Sequence, residues 1–199
     1  MPADTGLSYP GGTFDLTNKK TILMLSTFTT AAPALTVSAL LQDYASYNLW
    51  ANTTLANWLR TKPEDNMYVT VPSSFSSIRA TLLHIWATEN YWLSMICQKE
   101  YVPIDAEHYD GDFDSIIEGL LETSERLVAF TDTLEDDAAT GELFYDSPWV
   151  KGFRPLVQYG LHVFNHSTYH RGQIVTIGRG IGYKDAPMTD FNFYNFFAK

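Results

Sequence analysis

The sequence predicts an all-α protein built as a four-helix bundle with long connections. Three observations carry that expectation. Apolar residues recur at three- and four-residue steps in four separate stretches, the period of a helix with one buried face. Proline, glycine or a serine cluster bounds each stretch. The 199 residues are 45% apolar and 15% aromatic, enough for a single well-filled core.

The elements follow in order. Residues 1–35 are rich in Gly, Pro, Thr and Ser, read as an irregular arm ahead of a bundle over 36–199. Leu40, Leu41, Tyr44, Tyr47, Trp50, Ala51, Leu55 and Trp58 mark a first helix over 36–61, stopped by Pro63. "PSSFSSIRATLLHIWATENYWLSMICQKE" opens with serines suited to an N-cap. Its stripe of Ile78, Leu82, Ile85, Trp86, Trp92, Leu93 and Ile96 marks a second helix over 75–99. Ile116, Ile117, Leu120, Leu121, Leu127 and Val128 mark a third over 113–134. The stretch 135–154 is a long connection, in which "GELFYDS" and "GFRPL" read as a short hairpin. Pro155 suits the first turn of a fourth helix. That helix ends near Gly178 or Gly180, where glycine can adopt a left-handed C-terminal conformation. The aromatic tail "GYKDAPMTDFNFYNFFAK" is expected to pack back on the bundle.

Composition removes several function classes. Lys and Arg number 13 against 23 Asp and Glu, a net charge of −10. Such a chain repels phosphate backbones, and no basic patch offsets this, so nucleic acid is not an expected partner. No apolar run reaches the roughly 18 residues of a membrane helix. The segment beginning "KKTILMLSTF" starts late and is diluted by Thr and Ser, unlike a signal peptide, so a cytoplasmic location is expected. Cys97 is the sole cysteine, which leaves His and carboxylate as the available metal ligands.

The chemistry concentrates in "LHVFNHSTYHRGQ", with His162, His166 and His170 spaced four and four. Residues four apart on a helix lie about 40° apart and one turn along, so an adjacent pair can grip one ion. His162 and His170 are two turns apart, roughly 12 Å, too far to share an ion. Spacing therefore allows His162/His166 or His166/His170. His84, amid apolar neighbours on the second helix, is a natural third ligand, since bundles build metal sites from inward residues of different helices. Three imidazoles leave positions open for water or substrate. His108 lies in an acidic loop and reads as a solvated residue. Glu89, five residues past His84, points some 140° away from it.

The same stretch resembles the last-helix signature of the DinB/YfiT-like superfamily of metalloenzymes. "YNLWAN", "LLHIWATENYWL" and "GYKDAPMTDFNFY" resemble that family's first helix, second helix and closing segment, in the same order. The resemblance spans 36–197 and leaves the N-terminal arm unmatched. It implies a four-helix bundle of unusual connectivity, often a homodimer, with a divalent metal on three histidines. Carried over, the ligands fall on His84, His166 and His170, and not on His162. Asn165, Arg171 and Gln173 flank the ligands and are candidates to orient them or contact substrate. Tyr47 and Trp50 are candidates to face the pocket from the first helix.

The expected function is that of a metal-dependent enzyme acting on a small molecule. Relatives by resemblance include thiol-dependent S-transferases, in which a metal lowers the pKa of a low-molecular-weight thiol that attacks an electrophile. The alternatives are a metal-dependent hydrolase and a non-catalytic, metal-binding dimeric bundle. Imidazole ligation suits Zn²⁺, Ni²⁺ or Fe²⁺ alike. Cys97, thirteen residues past His84 and about 20 Å along the helix, is not expected to supply the thiol.

Overall fold

A computed structural model describes residues 8–9, 12–13, 34–147 and 150–199. The chain divides into two units, Met1–Ala34 and Leu35–Lys199. In the first, β1 (Ser8–Tyr9) and β2 (Gly12–Thr13) pair antiparallel. Apart from these strands and residues 34–35, the expected irregular arm lies outside the described residues.

The second unit holds four long helices: α1 (Val37–Arg60), α2 (Ile78–Ile96), α3 (Phe113–Thr131) and α5 (Leu156–Gly180). Between α3 and α5 come a short helix α4 (Asp136–Thr140) and a hairpin of β3 (Glu142–Asp146) and β4 (Lys151–Pro155). The tail forms α6 (Phe191–Phe197), which packs on α1. Side chains of Thr36, Ser77, Asp112 and Asp190 accept backbone N–H groups and start α1, α2, α3 and α6.

Both ends of α2 and the end of α3 differ from expectation. Ser77 takes the α2 cap, leaving Phe75 outside the helix, and Gln98 ends it with a left-handed backbone (φ 52°). The third helix stops at Thr131, and α4 was not anticipated in the connection that follows. α5 ends at Gly180 as expected, with Gly178 inside it, where a Cβ would approach Trp58 to 2.9 Å, but the left-handed glycine is Gly182 (φ 103°).

The helices are not neighbours in chain order. α1 packs on α3 and α5, and α2 packs on the same two, so the order around the bundle is α1–α3–α2–α5. Two apolar clusters fix the helix directions. One includes Leu55, Leu59, Leu82, Ile85, Ile117, Leu120, Ile174 and Ile177, and the other Leu41, Ala45, Leu93, Ile96, Leu127, Val163 and Phe164. α1 and α5 run from the second cluster to the first, while α2 and α3 run the opposite way. α2 and α3 are parallel neighbours and cannot be joined by a tight turn, while the α1–α2 and α3–α5 connections cross the diagonal of the bundle, so all three are long.

A buried polar layer separates the two clusters. The Oε1 atom of Glu89 accepts from Asn48 (2.7 Å), Asn52 (3.0 Å) and Ser167 (2.7 Å), and its Oε2 accepts from Ser124 (2.7 Å). Arg171 donates to the side-chain oxygens of the same Asn48 (2.7 Å) and Asn52 (2.8 Å), and to Thr168 (2.8 Å). Two carboxamides thus bridge a buried cation and a buried anion, each hydrogen-bonded as burial of charge requires. Burial lowers the Arg171 pKa, against which Tyr47 and then Glu89 act.

Candidate metal centre

The polar layer sets the rotation of α5. Ser167 and Arg171 are one turn apart and both point into the layer. His166 and His170 precede them by one residue each, so they lie about 100° round the helix. That stripe faces α2. On α2, Glu89 occupies the layer and His84 lies about 140° away from it, toward α5. Locking the buried polar residues therefore turns the three imidazoles toward one another.

The Nε2 atoms converge. His166 Nε2 is 3.2 Å from His84 Nε2 and 3.1 Å from His170 Nε2. Among the described residues these three form the one group of histidine, cysteine or carboxylate side chains, each offering a ligand atom, with all ligand atoms within 4.8 Å of one another. Protons alone do not satisfy this arrangement. The Nδ1 of His170 meets Gln173 Oε1 at 2.7 Å, which places its proton on Nδ1 and a lone pair on Nε2. A neutral His166 can then form a hydrogen bond through Nε2 to one neighbour but not to both. A shared cation accepts all three lone pairs. Tetrahedral coordination at a Zn–N length of about 2.05 Å gives N···N edges of about 3.3 Å, close to the separations found.

Electrostatics favour the same state. Burial, with His170 adding to it, lowers the His84 pKa to about 4. Burial, together with His170, His84 and His162, lowers His166 to about 4. Burial lowers His170 as well, with the Gln173 hydrogen bond acting the other way. The three imidazoles are thus neutral at neutral pH, the state that metal binding requires.

Packing holds the rings in place. Phe75 stacks on His84 with centroids 4.0 Å apart and meets His170 edge-on at 5.5 Å. Tyr169 meets His170 edge-on at 4.9 Å. Gln173 donates to Tyr169 (3.2 Å) and Ser74 (3.3 Å), tying the segment before α2 to α5.

The sequence pattern of the DinB family matches residues 33–198. The chain belongs to the DinB family. It is 29% identical over 161 residues to Protein DinB of Bacillus subtilis (strain 168), covering 77% of this chain and 92% of that one. Two solved structures share the fold. A DinB-like protein from Bacillus cereus ATCC 10987 gives a TM-score of 0.62 at 16% identity, over 77% of this chain and 97% of that one. YfiT from Bacillus subtilis gives 0.58 at 17% identity, over 79% and 97%. YfiT is described as a probable metal-dependent hydrolase with an unusual four-helix bundle topology. The four-helix bundle expected from the sequence is thus the fold of this DinB-family chain.

The other candidate residues scatter. Of the three flanking the ligands, only Gln173 touches an imidazole of the cluster. Arg171 is turned into the buried layer, where its guanidinium lies over the Tyr47 ring at 5.5 Å. Tyr47 and Trp50 pack against Tyr194 of α6, and the Tyr47 hydroxyl donates to the Thr189 carbonyl at 2.8 Å. Asn165 is exposed and lines a cavity with Tyr47, Thr168 and Phe191, away from the cluster. His162 stays outside the converged trio, its ring 6.0 Å from that of His166 and edge-on to Trp92 at 4.9 Å. His108 bonds to Asp105 on the surface. Sequence reasoning missed Ser74, Phe75 and Tyr169. Tyr169, inside the motif, carried a signal, whereas Ser74 and Phe75 sit in a Ser-rich segment without periodicity.

Proposed function

We propose that this DinB-family chain is a metal-dependent enzyme whose divalent ion, Zn²⁺, Ni²⁺ or Fe²⁺, is held by His84, His166 and His170. The convergence of their three Nε2 atoms carries the reading. When bound, such an ion acts as a Lewis acid and lowers the pKa of a thiol or water at its open position. The protein's own residues supply the frame. Gln173 keeps the His170 proton on Nδ1, so that Nε2 presents its lone pair. Phe75 and Tyr169 pack against the rings and hold their orientation. Among the described residues no carboxylate joins the imidazole group, so the ion's charge is left for an anionic nucleophile.

The preferred reaction is transfer of a low-molecular-weight thiol to a small electrophile. Cys97 is no internal substitute, because burial raises its pKa and keeps it a thiol. The hydrolase alternative draws on the description of YfiT. In the same reading the protein is a cytoplasmic homodimer that binds no nucleic acid. Exposed Phe144, Phe153, Phe196 and Phe197 favour association, and no helix among the described residues is long and apolar enough to cross a membrane. The test mixes metal-loaded protein with bacillithiol, mycothiol or glutathione and a chromogenic electrophile. Acceleration abolished by chelation and restored by metal supports thiol transfer. Metal-dependent ester or amide hydrolysis with no thiol effect moves the assignment to hydrolase, and neither activity leaves a non-catalytic bundle.

A further inference from the structure

A cavity of about 470 Å³ lies between α2, the β3–β4 hairpin and α5. The hairpin register explains its wall. Leu143 pairs with Arg154 and Tyr145 with Gly152, so Tyr145 and Arg154 share the inward face, while the paired Phe144 and Phe153 face outward. Opposite, Trp92 of α2 stacks on Tyr145 (5.1 Å, 28°) and on Tyr159 of α5 (5.7 Å, 26°). One end of this aromatic wall is His162, whose ring is 6.0 Å from that of His166. The cavity therefore adjoins the imidazole cluster through His162 and includes none of its three members.

Its rim is basic in a chain of net charge −10. Lys151 is neutralised by Asp146. Arg154 is not neutralised: among the described residues its one hydrogen bond goes to the Phe153 carbonyl (2.7 Å), and no carboxylate lies within ion-pair distance. An uncompensated guanidinium beside an aromatic face suits a planar anion, because its fork matches a carboxylate and the wall takes the ring.

We propose that this cavity binds a small aromatic or conjugated carboxylate, with Arg154 holding the carboxylate, Trp92, Tyr145 and Tyr159 the planar body, and His162 the end nearest His166. This names the substrate class of the proposed metal enzyme and rests on that reading for its chemistry, though not for its binding.

The probes are 2-naphthoate and its neutral isostere 2-naphthamide, titrated calorimetrically into the purified protein as isolated. The acid binds about tenfold or more tightly than the amide, the worth of one charge-assisted contact. Arg154→Gln brings the acid to the level of the amide, and Arg154→Lys restores part of the preference. Both variants change an exposed side chain and leave the helical circular dichroism intact. Naphthoate also shifts the ring resonances of His162. Equal affinity for acid and amide, or an acid affinity unchanged in Arg154→Gln, overturns the proposal. The latter result would put the carboxylate on the metal. Metal content is measured on the same samples. A protein that takes up no divalent ion at neutral pH and still binds naphthoate through Arg154 would sink the metal reading and leave the pocket standing.

Discussion

Glu89→Ala is expected to be among the most damaging single substitutions in this chain. The side chain is fully buried and accepts from four donors. Two of those donors have other partners. Asn52 keeps Ser124 at 2.9 Å, and Ser124 can turn fully to the Leu120 carbonyl, also at 2.9 Å. Asn48 Nδ2 and Ser167 Oγ have only Glu89 among the described residues. Each orphaned donor costs about 1–3 kcal/mol. Arg171 meanwhile loses the anion that its bridging carboxamides connect it to, and breaking a buried charge pair costs about 3–5 kcal/mol. These contributions overlap, so the expected loss is about 4–5 kcal/mol, a large share of a typical domain's stability. Glu89→Gln retains an acceptor for Asn48 and Ser167 and loses the charge alone, for about 2 kcal/mol. Urea unfolding of metal-stripped protein at pH 7, followed by circular dichroism, measures both without a contribution from bound metal. A loss below about 1 kcal/mol for Glu89→Ala, or equal losses for Ala and Gln, would refute the claim that this network holds the bundle's middle. The double substitution Glu89→Leu/Arg171→Met should cost less than the sum of its parts, since it removes both charges together.

Other outcomes follow from the same geometry. In metal-stripped protein, burial holds the folded pKa values of His84 and His166 at about 4, against 6.5 for an ordinary histidine. The unfolded chain then binds more protons between those limits, so the urea midpoint should fall as pH drops from 6.5 to 4; a flat profile contradicts the buried, neutral imidazoles. Gly119→Ala should destabilise by about 1–3 kcal/mol in thermal melts, despite a helix-propensity gain of about 1 kcal/mol. The reason is that a Cβ there would come within 2.2 Å of the Trp86 ring, and a raised melting temperature would contradict that packing. Gln173→Leu removes the acceptor on His170 Nδ1 and should weaken metal affinity about 10- to 100-fold in competition with a chelating dye, whereas unchanged affinity would show that the tautomer is fixed some other way.

The four long helices were legible because each buries one continuous stripe, and a stripe is visible in the order of residues. Their arrangement was not. Helical period reports which face is inward and leaves open which helix it meets, so the diagonal placement of α1 and α2 emerged only from the packing. The same limit explains Tyr47 and Trp50: they lie on the inner side of α1, but their neighbours are the aromatic residues of α6. Arg171 looked like a flanking polar residue because it adjoins His170 in sequence, although a step of one residue turns it about 100° into the core. The buried layer had left a trace. Asn48 and Asn52 are one turn apart within an apolar stripe, and Glu89 interrupts another, a pattern that calls for mutual hydrogen bonding. Spacing narrowed the histidines of α5 that can meet at one point to two adjacent pairs, and only the family resemblance favoured His166 and His170 over His162.

Metal content tests the central claim most directly. Elemental analysis of purified wild-type, His162→Ala and His170→Ala proteins, each confirmed folded by circular dichroism, separates the two histidine pairs that the spacing allows. One divalent ion per chain in the wild type and in His162→Ala, with the ion lost from His170→Ala, is the predicted result. Equal loss in both variants, or a wild-type protein that takes up no divalent ion at neutral pH, would contradict the assignment of His84, His166 and His170 as the metal ligands.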